Sequence, residues 1–411
     1  MRRAPAAPVL PRATDPLAGV PGFATLGLAL LLSVAFAALI IPWLDAMPWE
    51  YDEGTFMLQA RAILRGEVPF VDFFHHQPPL HLYLLAASGK LFGQTIFGYR
   101  LLSVASIGLS GVLLFLLIRP FAGPLPALVA QAIFLFSPSQ VHALAAVAEV
   151  PMVTATLLGA ALLFLGARRW SAYAAGVAFV AALLIKPTCL PMVAAAGLSL
   201  VYARDWRRLR DLVLAGIVAA AAGLAWTWWL SDGIFTDIAR FQLVERLGTR
   251  AAGMWSIDSG FGDLRRAAGV ETPAQWALVS FKDFQLLPDT PLPLVLSALA
   301  VPGMAAWVLR CARGAPAVRA FAVLWPLSYL LLNFVAMDYV SAKNFAPFIA
   351  FTAFLLAGLL SVAQRAVPPL AAGAVGLVVC GALAACFATI VAPRADPWYS
   401  GRADWIARQY P

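Results

Sequence analysis

The sequence predicts an all-α, polytopic membrane helical bundle of about eleven transmembrane helices, with amphipathic surface helices in two long outer loops. Three observations lead there. The chain of 411 residues is 62% hydrophobic and 12% charged, whereas a soluble domain carries roughly 25% charge. Its mean hydropathy is +0.81. Its apolar residues fall in runs close to, or somewhat short of, the length that a ~30 Å hydrocarbon layer demands.

Other classes drop out on composition. A net charge of +8 and a pI near 9.6 come without any Lys/Arg run interleaved with aromatics, which excludes a nucleic-acid partner. Cys189, Cys311, Cys380 and Cys386 lie in or beside apolar runs, without CxxC or Cys/His spacing. They read as small packing residues, and neither a disulfide framework nor a metal site is expected.

Taken in order, residues 1–22 are a Pro/Ala/Arg-rich segment expected to be disordered and cytoplasmic. The apolar run that follows, to about Ile41, is too long for a signal-peptide core and has no small-residue cleavage site after it. It reads as an uncleaved first span. The transmembrane domain covers 23–391, with spans at 23–44, 98–118, 125–141, 151–167, 171–186, 188–203, 212–230, 291–309, 320–336, 345–362 and 369–391. Residues 392–411 form a polar outer tail.

Charge sets the orientation. With the N-terminus in the cytoplasm, the inner loops carry Arg119, Arg168 and Arg169, the cluster Arg204 to Arg210, Arg310 to Arg319, and Arg365, as the positive-inside rule asks. Of the 21 acidic residues, only Asp15, Asp205 and Asp211 fall on that side. Acids contribute little to orientation, so their skew points to a functional outer surface. Trp226, Trp228 and Trp229 sit at an outer span end, where indoles anchor.

The two long outer loops are 45–97 and 231–290. In the first, Phe56, Met57, Ala60, Ile63 and Leu64 make an apolar stripe, which predicts a helix over Asp52–Leu64 ended by Gly66. A second helix opens at Pro78-Pro79 and runs to Gly93. In the other loop, Ile234, Ile238, Phe241 and Val244 repeat the pattern up to Gly248.

Residues that can do chemistry concentrate in Trp49–Tyr83, which holds His75, His76 and His81 and several carboxylates. Asp52 and Glu53 are neighbours on a first helical turn and point about 100° apart, so one can face a cavity while the other pairs locally. The plain alternative is an N-cap with a dipole-compensating acid. Glu149 is the only acidic residue between Asp72 and Asp205. Lys186 closes a run that spans about 24 Å as a helix, shorter than the hydrocarbon layer. It is therefore recessed toward a cavity or an anion, unless it snorkels. Arg100, Tyr339 and Lys343 stand at outer span ends, and Arg240, Arg246, Arg250, Arg265 and Arg266 populate the second long loop. His142, seven residues before Glu149, reads as a packed polar residue.

The acidic pair after span one is followed by Gly66-Glu-Val-Pro69-Phe70-Val-Asp72, then Gln77-Pro78-Pro79-Leu80, Phe92-Gly93 and Tyr99-Arg100-Leu101. This order resembles the GT-C type polytopic membrane glycosyltransferases that use lipid-phosphate-linked sugars. That group includes protein O-mannosyltransferases and the bacterial aminoarabinose transferases, and this chain looks like its bacterial branch. The likeness is specific through about residue 190 and architectural beyond it.

The resemblance implies a polyprenyl-phosphate sugar donor, an envelope acceptor (lipid, polysaccharide or protein hydroxyl), inversion at the anomeric carbon, and a multi-pass enzyme of the inner membrane working on its outer face. It gives Asp52 the role of general base, with Glu53 and Glu149 as further acidic site residues. A carboxylate at the position of Glu149 positions the acceptor or binds a metal where one is used. The resemblance fixes no cofactor, and a divalent cation, Mg or Mn, is left open. His75, His76, Gln77, Arg100, Lys186, Tyr339 and Lys343 are the substrate-binding candidates. One departure stands out: the aminoarabinose transferases have lysine before the Pro-Pro pair, and this chain has Gln77. His75 or His76 is then left to contact the phosphate. Two other readings are a flippase or transporter for lipid-linked glycan, and a silent scaffold of the same fold. A secondary transporter carries inverted repeats and charges near the midplane; no internal repeat is evident, and the charges cluster at the outer side.

Overall fold

The computed structural model describes residues 15–17, 19–47, 51–240, 275, 278, 281, 291–332 and 345–394. Among these the chain is helical throughout, with no β-strand. Helix α1 (Gly22–Ile40) runs on as a 3₁₀ stretch, Ile41–Ala46. There follow α2 (Tyr51–Leu64), α3 (Leu80–Phe92), α4 (Ile96–Ala122), α5 (Pro124–Leu135), α6 (Glu149–Leu165) and α7 (Arg169–Ile185). Then come α8 (Leu190–Tyr202), α9 (Trp206–Leu230), α10 (Ile234–Arg240), α11 (Leu292–Ala306), α12 (Pro316–Leu331), α13 (Ala346–Ala363) and α14 (Pro369–Arg394).

Six helical stretches among the described residues are long and apolar enough to cross a membrane: Gly22–Ala46, Ile96–Ala122, Trp206–Leu230, Leu292–Cys311, Ala346–Ala366 and Pro369–Thr389. The other five expected spans, 125–141, 151–167, 171–186, 188–203 and 320–336, coincide with shorter apolar helices. Length and composition thus carry six crossings rather than eleven. Two of these helix ends have local causes. Helix α5 stops at Leu135, and Pro138 opens a 3₁₀ turn, Pro138–Ala143, instead of prolonging it. Helix α7 stops because Lys186 precedes Pro187, and a residue before proline is pushed out of the α region. Lys186 is accordingly extended, at φ −158° and ψ 122°.

Helices α4 and α13 lie at the centre, and α9 lies at the periphery. The most apolar stretch of α13 is 78% buried and that of α4 67%, against 17% for α9. Around them α6 packs on α4 and α7, α7 on α9, α8 on α12, and α11 on α13. Trp307 stacks on Phe354 with ring centroids 4.2 Å apart, and its indole N–H donates to the Phe354 carbonyl. Helices α2 and α3 form a smaller apolar unit of Phe56, Met57, Ala60, Leu82 and Leu85, which rests on Tyr99 of α4. Gly66, at φ +94°, terminates α2 by letting Glu67 N–H reach back to the Ala62 carbonyl.

Candidate active site

The acidic pair on α2 divides between two environments. Glu53 is fully buried. Its carboxylate takes two parallel bonds of 2.7 Å from Arg100 Nε and Nη2, and a third of 2.8 Å from Ala146 N–H. Arg100 Nη1 also donates to the carbonyls of Leu44 (2.6 Å) and Met47 (3.0 Å). One guanidinium therefore ties together the end of α1, the first turn of α2, the start of α4 and, through Glu53, the segment before α6. Bidentate pairing of this kind fixes geometry as well as charge. Asp52, the preceding residue on the same turn, is half-buried.

A second ion pair lies at the adjacent helix ends. Glu149 opens α6 and Lys186 follows the last residue of α7, with Lys186 Nζ 2.5 Å from Glu149 Oε1. Both are buried. Each charge also suits its helix end, an acid at an N-terminus and a cation at a C-terminus. The shortness of α7 matters here, because Pro187 ends the helix where the lysine must turn inward.

His81, on α3, comes close to both pairs. Its ring is buried and meets Phe56 edge-on at 5.0 Å, against the backbone of Ala146 and within electrostatic reach of Glu149 and Lys186. Burial lowers its pKa to about 3, so it is neutral. His75 is likewise buried, between Phe70 (5.7 Å) and Phe56 (6.2 Å). Burial, and then the neighbouring His76 and His81, lower its pKa to about 3. His76 is more open: it stacks on Phe74 at 6.4 Å, and its Nε2 is 3.1 Å from Gln77 Nε2.

Of the residues singled out from sequence, the fold thus brings Glu53 to Arg100 and Glu149 to Lys186, with Asp52 on the same turn as Glu53. It places Gln77 beside His76. Tyr339, Lys343, Arg246, Arg250, Arg265, Arg266, the helical stripe beyond residue 240, the outer tail beyond Arg394 and the His142 side chain lie outside the described residues, whereas 392–394 continue α14. His81, counted in the histidine cluster, was given no role, and the Ala146 backbone was not foreseen. The signal for His81 was present, as a polar residue on the apolar side of the α3 pattern. That for Ala146 was not, since a backbone amide leaves no trace in sequence. Among the described residues no three His, Cys, Asp or Glu side chains are grouped as metal ligands.

The fold is one seen before. The chain superimposes on ArnT from Cupriavidus metallidurans bound to undecaprenyl phosphate, with a TM-score of 0.59 and 17% identity over 81% of this chain and 60% of that one. The family described as dolichyl-phosphate-mannose-protein mannosyltransferase matches residues 76–229. This chain has the GT-C type fold of membrane glycosyltransferases. A second GT-C structure, the Archaeoglobus fulgidus oligosaccharyltransferase tethered to an acceptor peptide, matches with a TM-score of 0.59 and 12% identity, over 91% of this chain and 55% of that one. Archaeoglobus fulgidus AglB with an inhibitory peptide and a dolichol-phosphate matches with a TM-score of 0.52 and 13% identity, over 91% and 56%. This chain therefore spans little more than half the length of these GT-C structures. No curated protein sequence matches it.

Proposed function

We propose that this chain transfers a sugar from a polyprenyl-phosphate carrier to a hydroxyl of an envelope acceptor, with inversion, and that Asp52 is the general base. One observation carries the reading: the acidic pair is divided, with Glu53 locked by Arg100 and Asp52 half-exposed on the same turn. In this reading Asp52 takes the proton from the acceptor hydroxyl as that oxygen attacks the anomeric carbon. The bond from the anomeric carbon to the phosphate oxygen breaks on the opposite face, and its electrons leave with the lipid phosphate. Glu53 acts by positioning, since its oxygens are already engaged. Lys186 supplies positive charge where the phosphate charge develops, and Glu149 holds it there. Undecaprenyl phosphate and a dolichol-phosphate, bound in two of the neighbouring structures, favour a lipid-phosphate donor.

The proposal keeps an eleven-span topology in the inner membrane, with the N-terminus cytoplasmic and Asp52 on the outer side. The divided acid pair favours an enzyme over a flippase, which needs no general base. The test is transfer of radiolabel from a panel of polyprenyl-phosphate sugars in isolated membranes. Asp52→Asn should lower the rate by ~10²–10⁴ at unchanged expression and insertion. Full activity in that variant sinks the base assignment, and no transfer by the parent chain from any donor sinks the enzyme reading.

A further inference from the structure

At the opposite end of α6 from Glu149, about 24 Å along the helix, a groove runs between α4 and α6. It encloses about 460 Å³ and is walled by Leu113 and Leu116 of α4 and by Leu158, Leu162 and Leu165 of α6. At its end stand Arg168 and Trp170, in the turn from α6 into α7. We propose that this groove binds an anionic diacyl phospholipid, with one acyl chain between the two helices and the phosphate on Arg168.

The charges around the groove support that occupant. Arg169 is held by Asp211, with Nε to Oδ2 at 2.9 Å. Arg208 donates to the carbonyls of Leu163 (3.2 Å) and Gly166 (2.5 Å), closing the last turn of α6. Arg168, by contrast, is exposed at the groove end, and its own carbonyl is fixed by the Ser171 hydroxyl at 2.7 Å. A guanidinium so placed meets a lipid phosphate. It favours a lipid with net negative charge over phosphatidylcholine, whose choline cancels the phosphate. Trp170 is 55% exposed beside it, and an indole favours the headgroup level. The walls are hydrocarbon, and the volume falls within the ~300–1,000 Å³ of sites that enclose a ligand. Basic pockets between membrane helices select anionic headgroups by this combination.

The test is native mass spectrometry of the full chain in detergent, titrated with phosphatidylglycerol or with phosphatidylcholine. The parent chain should bind phosphatidylglycerol about fivefold more tightly, as expected for one arginine beside an anionic lipid. Arg168→Gln should abolish that preference without weakening phosphatidylcholine, and Leu158→Trp, which fills the groove, should weaken both. Circular dichroism checks the fold of each variant, and Arg168→Gln, at an exposed site, stands alone if Leu158→Trp does not fold. Equal binding of the two lipids overturns the proposal, as does a preference that survives Arg168→Gln, or binding unchanged in a folded Leu158→Trp. Undecaprenyl phosphate is the competitor: displacement of phosphatidylglycerol at equal concentration assigns the groove to a polyprenyl chain and overturns it too.

Discussion

Replacing Arg100 by glutamine should be among the most damaging single changes in this protein, and its cost can be read from the bonds it breaks. The variant leaves the Glu53 carboxylate fully buried with the Ala146 amide, and takes a charged donor from the carbonyls of Leu44 and Met47. Removing one partner of a buried ion pair costs ~3–5 kcal/mol, and the carbonyls place Arg100→Gln at the top of that range. Glu53→Gln should cost less, about 3 kcal/mol, because Arg100 keeps both carbonyls. The double variant should be less destabilised than the sum of the singles by ~2–3 kcal/mol, as for residues in one network. Unfolding by SDS titration in mixed micelles, followed by tryptophan fluorescence, measures all three. A loss below ~1 kcal/mol for Arg100→Gln, or strict additivity in the double variant, would refute the reasoning.

Three further outcomes are expected. Lys186→Met should lower the turnover of the proposed transfer by ~10²–10³, the loss seen when a donor to developing charge is removed; restored turnover in the double variant with Glu149→Gln would show that the pair serves stability alone. His75 has a folded-state pKa of about 3 against 6.5 in a model peptide, so the unfolded chain binds the extra proton in between. Stability should therefore fall as pH drops from 6.5 toward 3, by up to ~1.4 kcal/mol per pH unit, and His75→Leu should flatten that slope in unfolding measured at pH 7 and pH 5. A Cβ at Gly176 would lie 2.6 Å from the Leu212 carbonyl and 3.0 Å from the Gly216 amide. Gly176→Leu should thus push α7 from α9 and cost at least ~1–3 kcal/mol, visible in the same SDS titration, whereas Gly197→Leu, where a Cβ meets nothing within 4 Å, should not.

Much of this protein was legible in its residues because the relevant physics is local. Apolar composition places the chain in a membrane, and helical content follows, since an exposed backbone amide has no partner in hydrocarbon. The ordered phrases from Asp52 to Leu101 resemble the GT-C group, and the family match, 76–229, begins within them. Helix ends were less legible. Hydropathy alone extends a span through Ser137-Pro138, whereas α5 ends at Leu135 and the chain turns into a 3₁₀ stretch at Pro138.

The different surroundings of Asp52 and Glu53 belong to the tertiary structure. Sequence puts two carboxylates on one helical turn and sets them about 100° apart, and goes no further. That Glu53 is the one locked in a buried ion pair depends on Arg100, 47 residues away, and on the Ala146 amide, 93 residues away. Lys186 meets Glu149 across 37 residues because α6 and α7 pack side by side and end at the same level. Periodicity and charge act over a few residues and leave their mark in the chain. Ion pairs between helices depend on packing register, which is set by every side chain in the interface at once, and only the folded bundle reveals them.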